Sequence, residues 1–346
     1  MYFRVLSLGS CFRRLAFFSL LAFFAVGCVH GDGVTRATPD NRTTRGGIRY
    51  DSSAPLDARV TPEFNPADPP AQAYTYRVTY KGGEGATVPA LLTIPVKRQG
   101  KAPAILLLHG LGGRKEDMSI LGVALARRGY ASLALDIAGH GERPGIHGKP
   151  LDRLDRSELR LAIGQTIADL RRGLDFLAQR PEIEANRSGF LGISLGGIIG
   201  GVLSADEPRL RGVVLWSAGG DWGKLLTTSQ HPWAKAYRRG DNASVIEREL
   251  QDVDPAAALA ESSPQALFLI HGAQDTIVPA DCARALYTAV KGVKKRLELT
   301  GGHIPDPTTM MNETLLWLET MVKNAPVRPP KMPLPTPSPS RVLATP

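Results

Sequence analysis

The stretch GFLGISLGG, residues 189–197, decides how this chain is interpreted. It runs a short apolar segment into Ser194 and surrounds that serine with Gly192, Gly196 and Gly197, in the pattern G-x-S-x-G. A serine on a sharp strand-to-helix turn needs glycine two positions away on either side, because a Cβ there would collide with the neighbouring backbone. The pattern predicts a reactive serine at a nucleophile elbow. A glycine-rich turn with a chance serine is the alternative, and partner residues elsewhere must decide.

Strand and helix signals alternate on both sides of this stretch. The apolar runs 102–110 and 265–272 are typical of strands buried on both faces, and 157–180 has the apolar stripe of a long amphipathic helix. The region 74–96 predicts a hairpin of two strands around a glycine turn. Buried strands separated by helices predict an α/β fold, a mostly parallel sheet of about eight strands with helices on both faces. Ser194 would then lie at the carboxyl end of a central strand, where ligands of such sheets bind.

The amino-terminal residues 1–27 are typical of an export signal. Arginines precede the apolar run 15–27, which is short for a membrane span, and the run leads directly into Cys28 in the sequence AVGC. Small residues before a cysteine resemble the bacterial lipobox, in which the cysteine is lipidated and becomes the new amino terminus. We therefore expect a lipoprotein signal peptide over 1–27 and a lipid anchor on Cys28 at the bacterial cell envelope, in the outer membrane or facing the periplasm. An ordinary secretory signal and an uncleaved anchor are the alternatives.

Composition divides the rest of the chain into a folded part and two flanks. Residues 28–70, rich in Pro, Asp, Thr, Arg and Gly, predict a flexible tether, and 325–346, with eight prolines in 22 positions, predict an extended or disordered tail. The folded domain is expected over 71–324. The net charge of +9 falls to +6 (39 − 33) without residues 1–27, and the remaining basic residues are scattered. Their pattern therefore predicts no nucleic-acid partner, and no cluster in the sequence supports a basic face toward anionic lipid.

A reactive serine needs a general base, and the chain has seven histidines. In folds that carry such an elbow, the acid and the histidine follow the serine in the chain. This order favours His303, in a glycine-rich loop after the last predicted strand. His271 also follows Ser194 but precedes the best candidate acid. His109, which ends the run 102–110, is interpreted as a structural pin for its loop rather than as a catalyst.

The acid must hold the imidazole in one tautomer and stabilise its cation. Asp275 stands just past the strand 265–272, which places it at the same predicted edge of the sheet as Ser194. Asp221 follows the preceding strand and is the serious competitor, whereas Asp306 shares the loop of the histidine. We expect Asp275 to be the acid and keep Asp221 as the alternative.

An oxyanion hole requires two backbone N–H groups fixed where negative charge develops. The glycine-rich turn in LLLHGLGG, residues 106–113, makes Leu111 the expected donor on one side. Leu195, directly after the serine, is the expected donor on the other side. The glycines around both positions allow a substrate to approach the backbone closely.

Taken in order, the motifs HGLGG, LDIAGHG, GISLGG, GAQDTIVP and GGH resemble the α/β-hydrolase superfamily. Within it they are similar to the branch of dienelactone hydrolases, prolyl oligopeptidase-like enzymes and acetyl esterases, over about 75–320. The resemblance implies the α/β-hydrolase fold and a Ser-His-Asp mechanism, matched here to Ser194, His303 and Asp275. Two features depart from the branch. No β-propeller precedes the domain in this sequence, which weakens a peptidase interpretation, and the segment 220–264 is long enough for a small lid, with a surface loop as the alternative.

These features predict a lipid-anchored serine carboxylic-ester hydrolase that acts on a small-molecule ester through an acyl-enzyme. An oligopeptidase-like serine peptidase, an acyltransferase and a catalytically silent binding lipoprotein are the alternatives. No cofactor is expected, because the glycine turn at 83–86 is too short for a dinucleotide site, and no metal is expected, because the histidines are not spaced as ligands. The substrate and the oligomeric state cannot be inferred from the sequence.

Overall fold

The structure, a computed structural model, describes residues 40–63, 72–238, 240–264 and 266–326. Within these ranges the strands are β1 (Asn41–Thr43), β2 (Arg49–Asp51), β3 (Arg59–Pro62), β4 (Ala73–Lys81), β5 (Thr87–Pro95), β6 (Ala102–Leu108), β7 (Ala131–Leu135), β8 (Ile183–Ile193), β9 (Leu210–Trp216), β10 (Ala266–Gly272) and β11 (Val293–Leu299). The helices are α1 (Ser119–Arg127), α2 (Arg156–Ala178), α3 (Leu195–Ala205), α4 (Trp222–Thr228), α5 (Pro232–Tyr237), α6 (Ala243–Leu250), α7 (Pro255–Glu261), α8 (Ala280–Ala289) and α9 (Pro307–Leu318).

One large sheet organises the described residues, with its strands in the order β11-β10-β9-β8-β6-β7-β5-β4-β3. The strands from β11 to β7 pair in parallel, and β5, β4 and β3 continue the sheet antiparallel. This arrangement confirms the predicted fold class and the hairpin within 74–96. The described part of the sheet has nine strands rather than about eight, because β3 pairs with β4 at its edge.

Two apolar layers cover the sheet, as the continuous apolar runs predict. All seven residues of β6 are buried. Their side chains alternate between the two faces, so that Leu106 belongs to the layer formed with α2 and α3, and Leu107 to the layer formed with α1 and α9. Helices on both faces hold β6 and β8 rigidly in the centre, and β8 leads directly into the serine.

The expectation of a flexible tether over 28–70 is wrong for residues 40–63. This stretch forms β1, β2 and β3, and it buries Ile48, Tyr50 and Leu56, each at most 6% exposed. The packed part of the chain therefore begins by residue 40 rather than at 71. Residues 1–39, 64–71 and 327–346 lie outside the described residues. The predicted signal peptide, Cys28, the remaining parts of the predicted tether and most of the predicted tail fall in these ranges.

Charge pairing explains why a stretch of polar composition is packed. The Tyr50 hydroxyl donates to Asp175 Oδ1 at 2.9 Å, and the buried Arg172 guanidinium donates to the backbone carbonyls of Asp51 and Ala54 at 3.0 and 2.6 Å. Arg45 pairs with Asp206 at 2.7 Å. The partners come from helix α2 and from the end of α3, far away in sequence, so local composition could not reveal them.

Across the residues that the structure describes, none of the helices is both long enough and apolar enough to cross a membrane.

Replacing Tyr50 with alanine tests whether 40–63 belongs to the folded unit. Its ring is 1% exposed, so Tyr50→Ala should lower the free energy of unfolding by about 3–5 kcal/mol, through lost burial and the lost hydrogen bond to Asp175. Urea denaturation followed by circular dichroism measures the change. Tyr74→Ala is the control, because that ring is 53% exposed and its loss should cost less than about 0.5 kcal/mol. Equal midpoints for Tyr50→Ala and the unmodified chain would show that 40–63 contributes nothing to stability.

Candidate active site

The turn between β8 and α3 holds Ser194 in a conformation that residues other than glycine rarely adopt. Its φ is 53° and its ψ is −118°. Such a conformation costs about 1–3 kcal/mol and persists only where the surroundings enforce it. Here the Ser194 N–H donates to the carbonyl of Trp216 at 2.8 Å, and the Ser194 carbonyl accepts from Ile198 at 2.9 Å in the first turn of α3. The turn therefore projects the serine side chain from the carboxyl edge of the sheet.

Backbone contacts around this turn explain the flanking glycines. A Cβ on Gly192 would lie 2.4 Å from the carbonyl oxygen of Gly196. A Cβ on Gly196 would lie 2.4 Å from the carbonyl oxygens of both Leu108 and His109. Real Cβ atoms do not approach backbone this closely, so the steric reason inferred from the sequence is confirmed. Gly196 also fixes how closely α3 approaches the loop after β6.

Three side chains from three separate loops meet at this edge in one hydrogen-bonded row. His303 Nε2 lies 2.9 Å from Ser194 Oγ, and His303 Nδ1 lies 2.8 Å from Asp275 Oδ2. The Asp275 side chain is fully buried, whereas His303 is 23% exposed. A neutral imidazole in this position can take the serine proton on Nε2 while its Nδ1–H is held by the carboxylate.

Backbone donors orient the Asp275 carboxylate. Its Oδ1 accepts from the N–H groups of Ile277 and Val278 at 2.8 and 3.0 Å, which leaves Oδ2 for the histidine. The competing Asp221 instead accepts from the Lys224 N–H at 2.8 Å and caps α4. Asp306 likewise caps α9. The geometry therefore brings together Asp275 and His303, and it gives the other two carboxylates local roles at helix ends.

Two further residues support this row, and the sequence had not indicated their role. His271 Nε2 lies 2.9 Å from the Val278 carbonyl oxygen and 3.5 Å from Asp275 Oδ2. Burial lowers the pKa of His271, which keeps that ring neutral behind the carboxylate. The Ser217 hydroxyl donates to the backbone carbonyl of His303 and so fixes the histidine loop. Both follow or end strands at the carboxyl edge, and this position is the signal that could have found them.

His109 holds the loop after β6 in place through hydrogen bonds of its ring, as its position in the sequence predicted. That ring is buried, its Nδ1–H donates to the Gly110 carbonyl at 2.8 Å, and its Nε2 accepts from the Ile137 N–H at 3.1 Å. Burial lowers the pKa of His109, in keeping with this neutral tautomer. The two expected oxyanion donors, Leu111 and Leu195, line the same cavity as Ser194.

The cavity beside Ser194 is small and largely apolar. It has a volume of about 260 Å³. Its lining residues are Gly110, Leu111, Ile193, Ser194, Leu195, Ile198, Trp222, Leu225, Ser229, His231, Trp233, Ala234, Ile277, Val278, His303 and Ile304, without a single lysine, arginine, aspartate or glutamate. Helices α4 and α5 supply one wall and α6 packs on α4, so these three helices form a helical cap beside the site. Helix α7, the last helix of the segment 220–264, contributes no lining residue and ends at Glu261, which pairs with Arg45.

Besides Ser229, the cap contributes the polar side chain of His231 to the cavity, a residue for which the sequence predicted no role. Its Nδ1 accepts from the Trp233 N–H at 3.1 Å, which makes Nε2 the protonated nitrogen. Burial and, after it, the nearby His303 lower the pKa of His231, so that the ring stays neutral at pH 7. Across the described ranges, no three His, Cys, Asp or Glu side chains are grouped so that they could hold a metal ion.

Comparisons with known proteins support the α/β-hydrolase fold class. A family model described as the prolyl oligopeptidase family matches residues 120–304. The Mycobacterium tuberculosis protein Rv2307c is 26% identical over 217 residues, which are 63% of this chain and 68% of that protein. Among solved structures, an acetyl xylan esterase from Paenibacillus sp. R4 is similar with a TM-score of 0.64 at 20% identity, covering 78% of this chain and 90% of the esterase. A Mycobacterium tuberculosis puromycin-hydrolyzing peptidase is similar with a TM-score of 0.60 at 16% identity, covering 82% of this chain and 45% of the peptidase.

Proposed function

The chain belongs to the prolyl oligopeptidase family and is a serine hydrolase, and from that premise we propose that it hydrolyses small, uncharged carboxylic esters through Ser194, His303 and Asp275. The observation that carries the proposal is the row of hydrogen bonds from Asp275 to His303 at 2.8 Å and from His303 to Ser194 at 2.9 Å. This row stands at the strained turn of the elbow, where φ of Ser194 is 53°.

The first half of the reaction forms an acyl-enzyme. Ser194 Oγ attacks the ester carbonyl carbon while His303 Nε2 takes the hydroxyl proton. The carbonyl oxygen becomes an oxyanion and is stabilised by the backbone N–H groups of Leu111 and Leu195. Asp275 keeps Nδ1–H in place and stabilises the imidazolium without taking its proton. The imidazolium then protonates the alkoxide, and the alcohol leaves.

The second half releases the acid. Water enters the site of the departed alcohol and gives a proton to His303 Nε2 as its oxygen attacks the acyl carbon. The same two N–H groups bind the second oxyanion, and the returning proton restores the hydroxyl of Ser194. His303 can take part in both halves because it is 23% exposed, whereas the Asp275 carboxylate is sealed behind it.

The cavity favours an ester over a peptide. Its lining carries no charged carboxylate, ammonium or guanidinium group that could bind a peptide terminus, and Trp222, Leu225 and Trp233 offer apolar surface for an acyl chain. The volume of about 260 Å³ suits a short or branched acyl group. The esterase activity printed in the name of the Paenibacillus structure supports the same choice, and the peptidase similarity makes amide hydrolysis the second candidate.

We further propose that Cys28 carries a lipid anchor at the bacterial cell envelope. The support is the sequence AVGC after the apolar run 15–27. Several acyl chains would hold the enzyme firmly, whereas a single chain binds membranes only marginally.

Loss of the serine hydroxyl tests the nucleophile. Ser194→Ala should lower turnover of a nitrophenyl ester by about 10⁶-fold, because the hydroxyl is the attacking group, and should abolish labelling by a fluorophosphonate probe. Ser229→Ala is the matched control, since Ser229 lines the same cavity but its hydroxyl donates to the Ile277 carbonyl at 2.7 Å. Labelling of Ser194→Ala at the level of the unmodified protein would remove Ser194 from the mechanism.

A substrate panel then separates the two candidate functions. We expect kcat/KM for nitrophenyl esters to exceed that for aminoacyl nitroanilides. The reverse order would make the protein a peptidase, and product transfer to an added alcohol in preference to water would make it an acyltransferase.

Two carboxylates provide a matched test of the acid. Asp275→Asn should reduce turnover by about 10⁴-fold, because the amide cannot hold His303 in the tautomer that accepts the serine proton. Asp221→Asn should have little effect on turnover, since that side chain caps α4. Steady-state kinetics of both variants decide the assignment, and the opposite ranking would move the acid to Asp221.

Replacement of the expected acylation site tests the anchor. Cys28→Ser should block lipidation and leave the precursor unprocessed, because the thiol is the atom that would be acylated. Membrane fractionation and intact-mass measurement of the unmodified protein and the variant report both effects. Recovery of the unmodified protein free of lipid and cut at another residue would replace the anchor with plain secretion.

A further inference from the structure

A basic groove lies at the edge of the sheet opposite to Ser194. It has a volume of about 630 Å³, and its walls come from the turn between β5 and β6, the end of α1, the start of β8 and Lys323, the last residue of the π-helical turn Glu319–Lys323 that follows α9. Its basic lining residues are Lys97, Arg98, Lys101, Arg127, Arg128, Arg187 and Lys323, against one carboxylate, Glu184. The tertiary structure thus gathers cations that are scattered in the sequence.

Within the part of the chain that the structure describes, these cations lack carboxylate partners. Among the described residues, none of the seven makes an ion pair. The polar contacts that involve them go to neutral groups: Arg127 Nε to the Gln72 side chain at 2.5 Å, Lys323 Nζ to the Arg128 carbonyl at 2.9 Å, and Arg187 to the Lys323 carbonyl. By contrast, the buried Lys115 is paired with Asp136 at 3.0 Å and Glu142 at 2.8 Å. A group of unpaired charges of one sign suits a ligand or surface of the opposite sign.

The direction of the strands places this groove away from the catalytic row. Lys101 directly precedes β6, and Arg127 and Arg128 precede β7, so they lie at the amino edge of the parallel strands. Ser194 follows β8 at the carboxyl edge. The two features therefore occupy opposite ends of the sheet.

The first described residues leave the domain at the same amino edge. Arg42 Nη1 donates to the Asp206 carbonyl at 2.9 Å, and Arg45 Nε lies 2.7 Å from Asp206 Oδ2. Asp206 ends α3, which runs from Ser194 at the carboxyl edge back to the amino edge where β9 begins. A chain anchored upstream of residue 40 would thus enter the domain at its amino edge.

We propose that the basic groove is a docking surface for the phosphate headgroups of anionic lipids, and that it holds the domain on the membrane with Ser194 directed away from it. The choice of lipid over another polyanion rests on the proposed anchor at Cys28. Nucleic acid is the less suitable ligand, because no aromatic side chain lines the groove for base stacking. Each basic side chain near such a surface strengthens binding by about fivefold, so seven together give a strong orienting effect.

Lysine acetylation on vesicles tests the proposal with the full chain. The protein is added to preformed vesicles of phosphatidylcholine, or of phosphatidylcholine with about 30 mol% phosphatidylglycerol, and acetylated with an N-hydroxysuccinimide ester. We expect Lys97 and Lys101 to react about tenfold more slowly on the anionic vesicles, and the difference to vanish at about 0.5 M salt. Lys235, in α5 over the catalytic cavity, is the internal control and should react equally on both.

Paired charge reversals sharpen the test. Arg98→Glu with Arg128→Glu should remove most of the slowing, whereas Arg238→Glu with Arg248→Glu, the same charge change in the cap, should retain it. Both pairs are exposed, so neither change disturbs the core. Equal acetylation on the two vesicle types, or slowing at Lys235 instead, would overturn the proposal. Stronger slowing by a single-stranded oligonucleotide than by anionic vesicles would replace lipid with nucleic acid.

An assay of ester hydrolysis distinguishes failure of this proposal from failure of the proposed function. Arg98→Glu with Arg128→Glu should leave turnover of a soluble nitrophenyl ester unchanged, because the groove lies at the other end of the sheet. A chain that lacks esterase activity but still shows the vesicle-dependent slowing would contradict the enzyme assignment and support the docking surface. An active esterase without the slowing would support the enzyme assignment and overturn the docking surface.

Discussion

The close approach of two backbone segments at Ser194 is the constraint on which the rest of the site depends. Gly196, in the first turn of α3, lies against the carbonyl oxygens of Leu108 and His109 at the end of β6, where a Cβ would be only 2.4 Å away. This contact fixes α3, β8 and the loop after β6 relative to each other. It also helps to hold the φ of Ser194 at 53°. This conformation costs about 1–3 kcal/mol, which the packing of the buried sheet offsets. The same contact that strains the serine therefore places the expected oxyanion loop beside it.

The rest of the hydrogen-bonded row at Ser194 is held by polar groups that are themselves buried and paired. Asp275 has no exposed side-chain surface, and two backbone N–H groups from residues 277 and 278 bind the oxygen that does not face His303. Ser217 holds the carbonyl of His303, so the histidine is fixed at its backbone as well as at its ring. An unpaired buried carboxylate would be costly, which makes these backbone donors a condition for having the acid there at all. Unlike Asp275, His303 keeps contact with solvent, as the proposed exchange of protons with water requires.

The parallel sheet separates two chemical surfaces. At the carboxyl edge the cavity beside Ser194 is apolar and has no charged carboxylate, ammonium or guanidinium group in its lining. At the amino edge the groove around Lys101 and Arg128 is basic and unpaired. Because the length of the strands separates the two surfaces, each can be specialised without disturbing the other. Helices α4 and α5 of the cap lie at the carboxyl edge, and their Trp222 and Trp233 line the cavity there.

The sequence by itself determined the fold class, the strand that carries Ser194 and the set of candidates for its partners. These followed from apolar runs and glycine positions, which act over a few residues, and from the order of the motifs along the chain. The packing of 40–63 could not be predicted from the sequence, because the side chains that bind this stretch lie more than a hundred residues away along the chain. They are those of Asp175, Arg172 and Asp206. For the same reason the sequence left Asp221 as an alternative to Asp275 for the acid. Both residues follow strands at one edge of the sheet, and only the tertiary structure shows that Asp221 caps α4. His231, Ser217 and the basic groove likewise exist as features only in three dimensions. Short-range patterns determine secondary structure and its order, whereas the pairing of charges and the walls of a cavity depend on which distant segments the tertiary fold brings into contact.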